Sequence, residues 1–144
     1  ISQYLFLRKN DDLVLYVEKG DGSRTNWQVR HELTIADEIP LVMLINERSA
    51  SSSEVLAGAL QDHERATIIG EISFGKGSVN ILRPLSNGGG LYITIAHWHT
   101  PNGRQIHGKG ITPDIEITHR DSREKDVLQL KAAINELERI LDSS

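Results

Sequence analysis

Leu41-Val42-Met43-Leu44-Ile45-Asn46-Glu47-Arg48-Ser49-Ala50-Ser51-Ser52-Ser53-Glu54 is the stretch whose reading decides the fold. Its first five residues are continuously apolar, the pattern of a strand covered on both faces. The run ends at the serines. Ser51 and Glu54 stand at the S-x-x-E spacing of a capping box, just ahead of Val55, Leu56, Ala59 and Leu60, and this predicts a helix from Ser51 to His63. Ala66-Thr67-Ile68-Ile69-Gly70-Glu71 then reads as a second strand. Strand, helix and strand form a β-α-β unit, so the two strands are expected to be parallel neighbours joined by a right-handed crossover. A serine is thereby presented at a helix N-terminus. Unpaired N–H groups and the positive end of the helix dipole favour developing negative charge there. The carboxyl ends of the strands are also where open α/β sheets bind ligands.

Upstream, Leu13-Val14-Leu15-Tyr16-Val17 is followed by the turn signal Gly20-Asp21-Gly22-Ser23 and by Trp27-Gln28-Val29, which predicts a hairpin. Residues 1–8 read as the end of an element whose start lies elsewhere, residues 30–38 as a polar connection, and Ile39-Pro40 as the approach to an extended segment. Downstream lies Phe74-Gly75-Lys76-Gly77-Ser78-Val79-Asn80, a lysine between two glycines. Val79–Leu85 and Leu91–His97 flank Ser86-Asn87-Gly88-Gly89-Gly90 and predict a second hairpin. Thr100-Pro101-Asn102-Gly103 is a turn, Ile115–Thr118 a short strand, and His119–Lys125 a charged connector. Val127, Leu130, Ile134, Leu137 and Leu141 recur at helical intervals, and their apolar face is expected to close over the domain.

The chain has 144 residues, 38% apolar and 25% charged, which is ordinary for one globular domain. A formal charge of −4 without any long basic run argues against a nucleic-acid surface. No cysteine is present, so neither a disulfide framework nor a thiolate metal site is available. The opening apolar run Tyr4–Leu7 is too short for a membrane span or a signal h-region.

The ordered motifs S-A-S-S-S-E, A-G-A-L-Q-D-H, R-A-T-I-I-G-E, F-G-K-G-S-V, T-P-N-G-R and G-K-G-I-T-P-D resemble the carboxyl-terminal processing proteases, also called tail-specific proteases. The resemblance runs from Pro40 to about Asp114. It implies an α/β fold with a ClpP/crotonase-like core, present here in part, and a serine endopeptidase acting on the C-terminal region of protein substrates without a cofactor. By that resemblance Ser51 is the nucleophile and Lys76 the general base. The Ser52 backbone N–H is one oxyanion donor, and Asn80 stands where the family has a glutamine that hydrogen-bonds the lysine. Arg48 stands where the family usually has glycine. The resemblance further implies that residues 1–144 are the C-terminal portion of the protease domain. The N-terminal part of that domain, which carries a second oxyanion donor, and a PDZ domain would lie outside the chain. An extracytoplasmic location is implied as well, in the periplasm or cell envelope of a bacterium. The isolated chain is expected to be proteolytically silent and prone to self-association.

A serine hydroxyl becomes a strong nucleophile only when a base removes its proton, and a lysine can do so only as the neutral amine, a form that burial favours. Taken singly, Ser51 reads as a helix cap and Lys76 as an exposed turn residue; the joint pattern points to a dyad. A non-catalytic binding or scaffold protein of the same fold is the alternative, since Arg48 and Asn80 both depart from the family beside the site. Gly70-Glu71-Ile72-Ser73-Phe74-Gly75-Lys76 matches the start of a P-loop, but the next residue is Gly77 rather than Ser or Thr, and a strand rather than a helix follows. His97, His99 and His107 could suggest metal ligation; without a carboxylate at matching spacing, packing beside Trp98 is the simpler expectation. Asp62 and His63 are adjacent on a helix, so their side chains do not face each other as a triad requires.

Overall fold

A computed structural model describes residues 12–29 and 39–143. The expected connection over residues 30–38 and the opening segment 1–8 lie outside the described residues. The elements are β1 (Leu13–Lys19), β2 (Arg24–Gln28), β3 (Val42–Ile45), α1 (Ser52–Asp62), β4 (Thr67–Gly70), β5 (Ser78–Pro84), β6 (Gly90–His99), β7 (Ile115–Glu116) and α2 (Ser122–Asp142). They build two sheets, one of order β2-β1-β6-β5 and one of order β3-β4-β7. The first is antiparallel throughout and the second parallel. Both predicted hairpins and the predicted β-α-β unit are therefore present.

The parallel sheet is organised around β4. Ile68 and Ile69 point to opposite faces and neither has any exposed surface, so β4 is the strand covered on both sides. Among the described residues β3 lies at the edge of its sheet, and Leu44 is 41% exposed; the expectation of two-sided burial from its apolar run is corrected there. Helix α1 packs against β1 and β4. Its buried residues Val55, Ala57, Ala59 and Leu60 join Ile45, Ile68, Ile106 and Ile111 in one core. Fully burying each large aliphatic side chain of this cluster contributes about 1.5–3 kcal/mol. Gly70, with φ 133°, lies where any Cβ would strike the Ile45 carbonyl oxygen, so β3 and β4 approach each other only because that side chain is absent.

Helix α2 differs from expectation at both its start and its face. It begins at Ser122, inside the segment read as connector, because the Asp121 side chain accepts from the N–H groups of Arg123 and Glu124 and caps it. It packs on β3 and β4, yet the residues it buries are Gln129, Ala133 and Glu136. Val127, Leu130, Ile134 and Leu141 of the predicted inner stripe are 66%, 54%, 47% and 60% exposed. Polar anchors set its orientation. The Gln129 amide donates to the Ile117 carbonyl at 3.1 Å, and Thr67 Oγ1 donates to Glu136 Oε1 at 2.9 Å. Among the described residues no helix is long and apolar enough to cross a membrane.

Candidate active site

Ser51 is the N-cap of α1 and has φ 59° and ψ −117°, a backbone conformation rare for a residue with a side chain. Such strain costs on the order of 1–3 kcal/mol and persists only where the surroundings over-determine it. The surroundings here are bonded on both sides. Ser51 N–H donates to Glu54 Oε2 at 2.8 Å, and the N–H groups of Glu54 and Val55 donate to the Ser51 carbonyl at 3.0 and 3.1 Å. The Ser53 N–H is taken by Ala50 O at 3.2 Å. The Ser52 N–H has no protein acceptor among the described residues, so one donor of the first helical turn is open.

Glu54 reaches well beyond its helix. Its carboxylate, fully buried, also accepts from Ser73 Oγ at 2.6 Å, from Gly75 N–H at 2.6 Å and from Lys76 N–H at 2.8 Å. One side chain thus ties the N-cap that holds Ser51 to the backbone of the residue that carries the Lys76 amine. Two further bonds secure the same loop: Phe74 N–H donates to Ser49 O at 2.9 Å, and Ile111 N–H to Ser73 Oγ at 2.7 Å. Gly75, with φ 87°, brings its backbone against residues 108–110, where a Cβ would come within 3.0 to 3.3 Å of three backbone nitrogens. Its carbonyl accepts from Gly108 N–H at 2.9 Å. The sequence offered Glu54 only as the capping partner of Ser51. A carboxylate followed one turn later by Ala57 and Gly58 on the same face carried the signal that it points inward.

Lys76 and Asn80 line one cleft together with Ala50, the residue before Ser51; Ser51 itself does not line it. No hydrogen bond joins Ser51 Oγ to Lys76 Nζ, and among the described residues the Lys76 amine has no bonded partner; the side chain is exposed. Asn80 is occupied elsewhere, its amide donating to Ser78 Oγ at 3.0 Å and its carbonyl accepting from Thr94 Oγ1 at 2.6 Å. A register shift between Val79 and Asn80 places Asn80 opposite Thr94, re-aiming it as bulges do. Together with Glu47, Arg48, Ala50, Phe74, Lys76, Ser78 and Tyr92, these two residues line an open cleft of about 870 Å3. A second hollow of about 450 Å3 lies at the amino ends of β3 and β4 and contains none of the candidate residues.

The histidines pack otherwise than expected. Trp98 turns toward the core, while His99 stacks on Tyr16 at 4.8 Å between ring centroids and His97 meets His107 at 4.9 Å. Among the described residues no group of three or more His, Cys, Asp or Glu is placed to hold a metal ion. Asp62 and His63 diverge: Asp62 pairs with Arg104 and accepts from Asn102 N–H at 2.7 Å, whereas His63 Nε2 lies 2.7 Å from the Leu13 carbonyl. The turn Thr100–Gly103 is thereby docked on the end of α1.

Comparison with known proteins agrees with this architecture. The profile described as peptidase family S41 matches residues 2–117. A carboxy-terminal-processing protease of Bartonella bacilliformis is 58% identical over 83 residues, which is 58% of this chain and 19% of that protein. A carboxyl-terminal-processing protease of Synechocystis is 42% identical over 72% of this chain and 24% of its own length. A probable CtpA-like serine protease of Staphylococcus epidermidis is 33% identical over 92% of this chain and 30% of its own. The chain thus spans between 19% and 30% of the length of these relatives. Among solved structures, the photosystem II D1 C-terminal processing protease superposes with a TM-score of 0.72 at 32% identity, over 89% of this chain and 33% of that one. On the matched profile, these relatives and the shared fold, the chain belongs to peptidase family S41, the carboxyl-terminal processing proteases.

Proposed function

We propose that this chain supplies the Ser-Lys dyad of a serine endopeptidase that processes the C-terminal region of protein substrates. The observation that carries the reading is the Glu54 carboxylate, which bonds the N–H groups of both Ser51 and Lys76 and so ties the two segments to one another. In the reaction the neutral Lys76 amine takes the proton from Ser51 Oγ as that oxygen attacks the scissile carbonyl carbon. The carbonyl oxygen becomes an oxyanion and accepts from the open Ser52 N–H at the positive end of α1. Collapse of the tetrahedral intermediate breaks the C–N bond, and Lys76 returns its proton to the leaving amine. Water then gives a proton to Lys76 as it attacks the acyl-enzyme carbonyl carbon, and the C–O bond to Ser51 Oγ breaks as Lys76 returns that proton to the serine and the carboxylic product leaves. Substrate binding closes over the exposed amine and brings it to Ser51, a tightening common between free and loaded active sites.

The second reading is a binding protein of the same fold. It draws on the absence of a Ser51–Lys76 hydrogen bond and on the engagement of Asn80 with Ser78 and Thr94. A fluorophosphonate probe on the complete protein separates the two. Labelling lost in Ser51→Ala and in Lys76→Ala is expected, with peptide turnover down on the order of 10⁴-fold or more in each single variant and no lower in the double one, since the two act as a unit. A folded protein that binds peptide but takes no label belongs to the second reading.

A further inference from the structure

The cleft contains one feature that the dyad does not use. Arg48 lies on its wall three residues before Ser51, with a side chain 88% exposed. Its backbone is pinned, because Arg48 N–H donates to Asn46 Oδ1 at 3.0 Å, Asn46 N–H to Ser49 Oγ at 3.1 Å and Ser49 N–H to Asn46 O at 2.9 Å. The guanidinium is barely engaged. Its one ionic contact among the described residues is from Nε to Glu47 Oε1 at 3.8 Å, which leaves the two-pronged Nη edge without an ionic partner among them.

Glu47 is drawn the other way. Its Oε2 lies 3.4 Å from Lys125 Nζ, and that amine bonds Glu71 at 2.7 Å. The first turn of α2 thus competes with Arg48 for the nearest carboxylate. Lys76 is the other cation of the cleft, but its part in the proposed reaction needs the neutral amine. Arg48 is therefore the permanent positive charge beside Ser51, since a guanidinium stays protonated at any working pH.

We infer that Arg48 is a specificity residue, pairing through its Nη edge with a carboxylate of the bound peptide close to the scissile bond. The statement rests on the cleft being the peptide site of the proposed protease. The matching group is either an Asp or Glu side chain or the free carboxylate of the chain terminus, because both offer two oxygens to the guanidinium fork. Such an exposed pair gives a selectivity of about threefold to fivefold that weakens as salt screens it.

The test uses the complete protein and one neutral peptide series in which each position around the cleaved bond is in turn Gln or Glu, with each peptide made as free acid and as amide. Two readouts are taken: the Glu/Gln and acid/amide ratios of kcat/KM, and the same ratios of Kd by fluorescence anisotropy on the Ser51→Ala protein. The second does not depend on turnover, so failure of the dyad reading leaves it intact. Expected is one position, or the terminus, with a ratio of about threefold to fivefold at low salt. That ratio falls to about one in Arg48→Gln, inverts in Arg48→Glu, and drops in Lys125→Met, which releases Glu47 to Arg48. A response in the Glu arm identifies an acidic side chain and one in the acid/amide arm identifies the chain terminus. Ratios that are the same in the wild-type protein and in Arg48→Gln at every position, in both readouts, overturn the inference.

Discussion

Glu54 is a buried carboxylate with no salt-bridge partner among the described residues, an arrangement tolerable only because four donors converge on its two oxygens. The substitution Glu54→Gln keeps its size but turns one acceptor into an NH2 group that meets N–H donors head on. Stability is expected to fall by about 2–3 kcal/mol in urea unfolding, the range for a hydrogen bond to a charged group left unmade in the interior. If the carboxylate also sets Ser51 against Lys76, kcat of the complete protein falls with KM little changed, even at a temperature where the variant is fully folded. A folded variant with unaltered kcat would reduce Glu54 to a structural brace. At this scale the sequence was partly legible. The S-x-x-E spacing located Ser51 and its bond to Glu54, because the two are three residues apart. The bonds to Ser73, Gly75 and Lys76 span nineteen to twenty-two residues, a distance that no local pattern encodes.

Elements defined by long apolar runs or by turn chemistry were legible for the same reason. Strands β3 and β4, helix α1 and the second hairpin lie within a residue or two of their expected places, and the return strand of the first hairpin begins three residues before Trp27. The face of α2 was not legible. A stripe of Val127, Leu130, Ile134 and Leu141 states that the helix is amphipathic, but not which side the rest of the molecule occupies. Contacts 12 and 69 residues away, Gln129 with Ile117 and Glu136 with Thr67, decide that. The second contact has a pH signature. Hydrogen bonding to Arg139, and to a lesser degree to Thr67, holds the Glu136 carboxyl below its ordinary value of 4.5, against burial, which raises it. A lowered folded-state value means that its stabilisation is complete above the ordinary value and is lost as pH falls through the lowered one. The Tm of the wild-type chain should therefore exceed that of Glu136→Gln at neutral pH, with the gap closing in acid. Because the Arg139 side chain is 67% exposed, solvent screens the pair and the difference at neutral pH is expected to be small. A gap that persists unchanged to low pH would assign the effect to packing rather than to charge.

The molecule as a whole leaves a large apolar surface in water, and that surface is not where the sequence pattern alone would place it. The β5–β6 hairpin is bare on both faces at its distal half: Leu91, Ile93 and Ile95 are 50%, 40% and 41% exposed, and Leu82 and Tyr92 are 66% and 72% exposed. The outward stripe of α2 adds to it. Exposed contiguous apolar area of this kind marks a contact surface, and β5 also carries an unpaired strand edge among the described residues. We expect the isolated chain to associate through this hairpin. Edge pairing of β5 with a second copy would cover the backbone groups, while Leu82, Ile93 and Tyr92 would bury apolar area worth about 25 cal/mol per Å2. Light scattering over a concentration series should then show mass rising with concentration. The triple substitution Leu82→Thr, Tyr92→Ser and Ile93→Thr should return the chain toward monomer, because it keeps residues compatible with the hairpin and removes its apolar surface. Substitutions at Val127 and Leu141 of α2 should do less, since a helix face offers no backbone groups to pair. Association unaffected by the hairpin variant but abolished by the α2 variant would move the contact to the helix; a monomer at all concentrations would show that the exposed hairpin is held apart by charge and strand twist alone.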